Sequence, residues 1–160
     1  MPPVAVLLSI LSLIPFVACG LAAVGPHAEP ADRMLAALIG YTALMLTFLG
    51  GMSWAMTLRL GGDPGSTHES IGLRRWAQVG VVPLVIGWAA LIVAYEFPAW
   101  IALPILIVGH IAAVVGDHRV GLLAELSRPY AMLRWSIAII ATAMLTTVLI
   151  LRLSGSTIVF

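Results

Sequence analysis

Apolar positions in this chain gather into five runs, at about 4–24, 34–58, 76–95, 99–115 and 131–151, separated by short polar segments. A helix rising about 1.5 Å per residue needs roughly 20 apolar residues to cross a hydrocarbon core. In lipid every backbone N–H and C=O must be satisfied within the protein, so runs of this length predict helices. The expected fold is all-α: a polytopic membrane bundle of about five transmembrane helices, with 1–160 forming one domain.

The polar segments predict the connections. Gly25-Pro26 and Glu29-Pro30 mark a turn bearing His27, Asp32 and Arg33. A longer polar stretch carries Arg59, the Gly and Pro residues of 61–65, His68, Glu69, Arg74 and Arg75, and predicts a flexible loop. Glu96-Phe97-Pro98 predicts a tight turn. Between 116 and 130, Leu122, Leu123 and Leu126 recur at helical spacing among Asp117, Arg119, Glu125 and Arg128, which predicts a short amphipathic surface helix.

Five spans put the termini on opposite sides. Arg59, Arg74, Arg75, Arg119, Arg128 and Arg134 then share the side of the N-terminus, against Arg33 and Arg152 on the other. Cytoplasmic segments carry the arginine excess, so the N-terminus is expected in the cytoplasm and the C-terminus outside. Trp76, Tyr95, Trp100, Tyr130 and Trp135 fall near the predicted ends of spans, the depth that amphipathic rings prefer. The expected location is the bacterial inner (cytoplasmic) membrane, with the mitochondrial inner membrane as the alternative.

Composition narrows the chemistry. Hydrophobic residues make up 61% of the chain and charged ones 9%, with a formal net charge of +1, which leaves no basic tract for nucleic acid. All basic residues are arginines, so no lysine is present for a Schiff base or a phosphate loop. Cys19 cannot form an internal disulfide and reads as a small apolar residue of the first span. Phe16 to Gly20 loosely fit the context of a lipid-modified cysteine, but no positive charge precedes the segment and Pro15 interrupts it. A retained first helix is expected.

Within the spans, Ala43, Thr47, Gly51 and Ala55 recur every four residues, and Gly50 adjoins them. Such a face lets helix backbones approach closely, so another helix is expected to cover it. Gly50-Gly51 also marks a possible kink. Pro15, Pro83 and Pro104 each lie inside an apolar run, where proline removes a helical donor and predicts a structural kink.

Ionisable residues at membrane depth are rare and therefore informative. His110 is the one histidine expected there, with His118 at the end of its span and His27 and His68 on loops of opposite sides. That set suits neither a metal nor a bis-histidine haem, and no cofactor is expected. Asp117 follows His110 by two helical turns, and topology brings it to the same boundary as Arg134. An ion pair between Asp117 and Arg134 is the expectation, with Arg59 and Arg75 the next candidate partners. No Ser/His/Asp, Cys/His or paired-carboxylate arrangement can be placed convincingly on one side of the membrane.

Residues 41–54, YTALMLTFLGGMSW, carry a tyrosine, a phenylalanine and a Gly-Gly pair ending in tryptophan. With Leu13-Ile14-Pro15-Phe16, Val82-Pro83, Trp88-Ala89-Ala90-Leu91, Asp117, Tyr130 and Leu133-Arg134, the chain resembles the uncharacterised membrane family that includes mitochondrial transmembrane protein 69. The resemblance implies a small multi-span protein of bacterial or mitochondrial inner membranes and no reaction, substrate or cofactor. Members often carry histidine before that tryptophan, where this chain has Ser53.

The leading functional expectation is a non-enzymatic accessory, scaffold or assembly component that packs against lipid and against other membrane subunits or its own copies. A small transporter or channel is the alternative, and a quinone-binding or other enzyme subunit the third. A water-filled cavity at midplane would favour transport; a lipid-open aromatic pocket near His110 would favour quinone.

Overall fold

The computed structural model describes residues 3–25, 28–60, 69–119 and 128–155, with side chains placed at 11–25, 30–55, 80–119, 128 and 131–155. These residues form five α-helices and no strand: α1 (Pro3–Ala22), α2 (Ala28–Leu60), α3 (Glu69–Glu96), α4 (Ala102–Arg119) and α5 (Arg128–Ser154). A single 3-10 turn, Ala99–Ile101, leads into α4. Three stretches are long and apolar enough to cross a membrane, Pro30–Ala55, Ala99–Arg119 and Ala131–Ser154. Leu11–Ala22 and Gly80–Glu96 are shorter apolar helical stretches among the described residues.

Several helices outrun the apolar runs that predict them. Helix α2 starts at Ala28 and reaches Leu60, so Glu29, Asp32, Arg33 and Arg59 lie in helical turns instead of loops. Helix α3 starts at Glu69 and takes in Arg74 and Arg75, and α4 carries on through Asp117 to Arg119. Hydropathy registers only the part of a helix that matches hydrocarbon, whereas the backbone ladder gains a hydrogen bond per residue whether its side chains meet lipid or water. Acidic Glu29 and Asp32 also suit the positive end of the α2 dipole. The rest of the expected flexible loop, with His68, lies outside the described residues, as do His27 and the Leu122, Leu123 and Leu126 segment.

The prolines divide into two kinds. Pro15 and Pro83 lie inside α1 and α3. Pro104 does not kink a span, because α4 begins at Ala102 and places it in the first turn, where its missing N–H has no helical partner to lose. Pro98 separates α3 from the 3-10 turn, and Gly155, with φ of 64°, takes the left-handed position that closes α5.

Helix α2 is central and packs on α1, α3 and α4, while α5 lies against α4 and touches α1. Phe16, Leu38, Leu46, Leu103, Leu106 and Leu145 are fully buried at the centre. The outer faces are as apolar as the core: Leu44, Phe48, Ile139 and Leu153 each leave more than 60% of their surface exposed. An apolar exterior of this kind is what a lipid-facing bundle presents, since hydrocarbon imposes no cost on it. Tyr95, Phe97 and Trp100 project together around the α3–α4 turn, with Trp135 near the start of α5. The side chains of Trp76 and Tyr130 lie outside those described.

The small-residue face is corrected in register. Ala43 is buried, but Gly51 and Ala55 are exposed, and a Cβ added at Gly51 would meet open space. The close contact runs instead through Ala43, Thr47, Gly50 and Trp54 of α2 against Gly80, Pro83 and Gly87 of α3. A spacing of four residues advances about 400° on a helix of 3.6 residues per turn, so a strict four-residue series drifts off the seam within three steps. The 43, 47, 50, 54 series alternates four and three and stays on it. The backbone carbonyls of Ala43 and Gly80 lie where side chains would otherwise stand, and α2 continues as helix through Gly50-Gly51.

Candidate functional site

The buried stripe of α5 reads Arg134, Ala138, Ala141, Leu145 and Val148, with Arg152 one turn further. It therefore ends in a guanidinium at each end, about 27 Å apart at 1.5 Å per residue, close to a hydrocarbon thickness of about 30 Å. Each arginine ties α5 to other helices, in environments that differ sharply.

At the first end, Arg134 pairs with Asp117 of α4 through both Nε and Nη2 to Oδ2. Arg134 and Asp117 are 4% and 1% exposed. Ser53 of α2, also buried, donates its Oγ–H to Asp117 Oδ1 at 3.2 Å. Arg134 Nη2 further reaches the Leu49 carbonyl at 3.4 Å and Ser53 Oγ at 3.5 Å. Three helices thus meet at one neutral cluster with both carboxylate oxygens occupied.

Neither charge is supported by its own helix. Asp117 lies in the last turn of α4, whose negative end opposes its charge, and Arg134, the seventh residue of α5, lies beyond the first turn, where the helix end has little effect on it. That leaves the pair, with its hydrogen bonds, as the source of compensation for desolvation. The alternative partners fall differently: the side chains of Arg59 and Arg75 lie outside those described.

At the second end, Arg152 donates from Nε to the Ala23 carbonyl at 3.1 Å and from Nη1 to Asp32 Oδ1 at 2.7 Å. It thereby joins the C-terminus of α5 to the end of α1 and the start of α2. Asp32 is mostly exposed, so this clamp sits where water or headgroups reach it.

His110 is buried on the same face of α4 as Asp117 but takes no part in the cluster. Its Nδ1–H donates to the Leu106 carbonyl at 3.0 Å, which fixes the tautomer and leaves Nε2 as a bare acceptor. Nε2 has no hydrogen-bond partner among the described residues. His118 faces outward. Among the described residues no group of three His, Cys, Asp or Glu side chains could hold a metal.

The sequence singled out Asp117 and Arg134, and the structure brings them together. It misses Ser53 and the Leu49 carbonyl, although Ser53 at four residues beyond Leu49 is a polar residue in an otherwise apolar face. It also misses the bond from Tyr41 Oη to the Ser12 carbonyl that ties α2 to α1.

A bundle of long apolar helices, drawn together by an ion pair sealed between three of them, defines the class of membrane-type helical proteins. The chain belongs to the family of proteins of unknown function DUF3429, whose family model matches residues 1–150. No curated protein and no solved structure matches the chain.

Proposed function

We infer that this protein is a non-enzymatic integral membrane component that acts as an accessory, scaffold or assembly subunit. The observation that carries the reading is the closure of the Ser53, Asp117 and Arg134 cluster. Charges that move ions or protons line a cavity or a path. Here both charges are spent on each other and on joining α2, α4 and α5, in the manner of a structural tie.

The proposed topology has five spans with a cytoplasmic N-terminus, supported by the six arginines on that side against two. The bacterial cytoplasmic membrane is the proposed location, with the mitochondrial inner membrane as the alternative that the resemblance to the transmembrane protein 69 family supplies. Reporter fusions after Gly65 and after Phe160 give opposite sides on this reading; the same side from both would remove the five-span arrangement.

The transporter alternative draws on the bare Nε2 of His110. The two readings separate in one comparison. As a scaffold, the protein isolated from its own membranes in mild detergent carries a stoichiometric membrane subunit, and proteoliposomes of the pure protein show no proton flux above empty vesicles. Flux that His110→Phe abolishes would establish transport instead. The quinone reading would draw on an open pocket between α4 and α5, where Trp135 lies with Ile111 and Val114 beside His110, although His110 itself does not line it.

A further inference from the structure

The buried ion pair brings the C-terminal end of α4 and the N-terminal end of α5 to one level. Inward from that level the two helices leave an apolar pocket of about 350 Å³ between them. Ile111 and Val115 of α4 form one wall, and Trp135, Ala138, Ile139 and Thr142 of α5 the other. Ile111 and Ile139 are 48% and 62% exposed, so the pocket is open sideways.

Both walls continue beyond the pocket as cationic side chains. Arg119 lies one helical turn past Val115 on α4, with His118 two turns past Ile111. Arg128 lies two turns before Trp135 on the same face of α5. All three side chains are exposed. Among the described side chains at this end the one acid is Asp117, and its carboxylate is committed to Arg134 and Ser53. Arg119 and Arg128 therefore leave the headgroup end of the pocket positive.

For a bundle embedded in lipid, we propose that this pocket holds one acyl chain of an anionic phospholipid whose headgroup pairs with Arg119 and Arg128. Charge complementarity selects the occupant. An apolar slot takes hydrocarbon, and two guanidiniums at its rim take a phosphate; an anionic phospholipid carries both in one molecule, in that order. Trp135 stands between rim and slot, at the depth where indoles favour the headgroup region. A second copy packed two-fold on this face would bring its own Arg119 and Arg128 against these, like charge on like. A quinone brings no charge for the rim.

Native mass spectrometry of the full chain in mild detergent, with equal amounts of dioleoylphosphatidylglycerol and dioleoylphosphatidylcholine, tests this directly. The two lipids share their chains and differ in net charge. One phosphatidylglycerol per chain is expected to be retained about tenfold over phosphatidylcholine, with two arginines facing its headgroup. Arg119→Gln with Arg128→Gln, both at exposed positions, makes the two lipids equal. Ile139→Trp, also from an exposed position, fills the pocket and lowers retention of both by about tenfold. Arg33→Gln, at the opposite end of the bundle, changes neither. Equal retention of the two lipids by the wild-type chain, a preference that survives the double arginine variant, or undiminished retention in Ile139→Trp would each overturn the proposal. So would a dimer, or a quinone carried through purification from native membranes, that is lost on Ile139→Trp, since a second copy or a quinone would then be the occupant.

Discussion

Arg134→Gln is expected to lower the stability of the full chain by about 3–5 kcal/mol, because it strands the Asp117 carboxylate in a site that is 1% exposed. Asp117→Asn is expected to fall in the same range, since it leaves a buried guanidinium with the Leu49 carbonyl and Ser53 as its remaining acceptors. The double variant should cost clearly less than the two single changes added together, because it removes both charges and leaves neutral amides able to hydrogen-bond one another. The contrast within one helix sharpens the test. Arg152→Gln removes an identical group from the other end of the same stripe, but Asp32 is 67% exposed and remains solvated when unpaired. About 1 kcal/mol or less is expected there. Unfolding in mixed micelles, followed by circular dichroism, measures all four variants. Additive single costs, or an Arg152→Gln cost equal to that of Arg134→Gln, would mean that burial does not set the strength of these ties.

The second large effect concerns neighbouring glycines. A Cβ at Gly50 would fall inside the contact distance of the Gly80 carbonyl oxygen, a backbone atom that moves only if α3 moves. A Cβ at Gly51 meets nothing within 4 Å. Gly50→Ala is therefore expected to cost about 1–3 kcal/mol through forced separation of α2 and α3. Gly51→Ala is expected to be neutral or slightly stabilising, since alanine exceeds glycine by about 1 kcal/mol in helix propensity. Thermal unfolding of the two variants side by side decides the register of the seam. Equal destabilisation would return Gly51 to a covered face.

The same pair of glycines shows how far the linear pattern carries. Spacing marks α2 as a helix with a small-residue face, because apolar length and side-chain size are local properties. Which of two adjacent glycines meets a neighbour depends on the crossing of α2 over α3, and a 100° step separates them on the helix surface. The ion pair was legible for a different reason. Few charges occur within the spans, and topology alone brings the ends of consecutive helices to one boundary, so Asp117 had few partners available. Ser53 was hidden because a single serine in an apolar run commonly bonds its own helix, and here its one hydroxyl proton is shared between Asp117 and the Leu49 carbonyl, 3.3 Å from Oγ.

Sequence by itself determined that the chain is helical, that its helices are apolar over lengths near a hydrocarbon thickness, and that Asp117 needs an arginine partner, with Arg134 the first candidate. Each follows from run length, side-chain chemistry and the cost of an unpaired charge, none of which needs coordinates. Tertiary structure decided where the helices end, which glycines carry the seam, that His110 stands apart from the ion pair, and that α4 and α5 leave an open pocket between them. Those outcomes depend on crossing angles and on contacts between residues as far apart as Ala23 and Arg152. Such contacts arise from the summed packing of whole helix faces, and no window along the chain contains them.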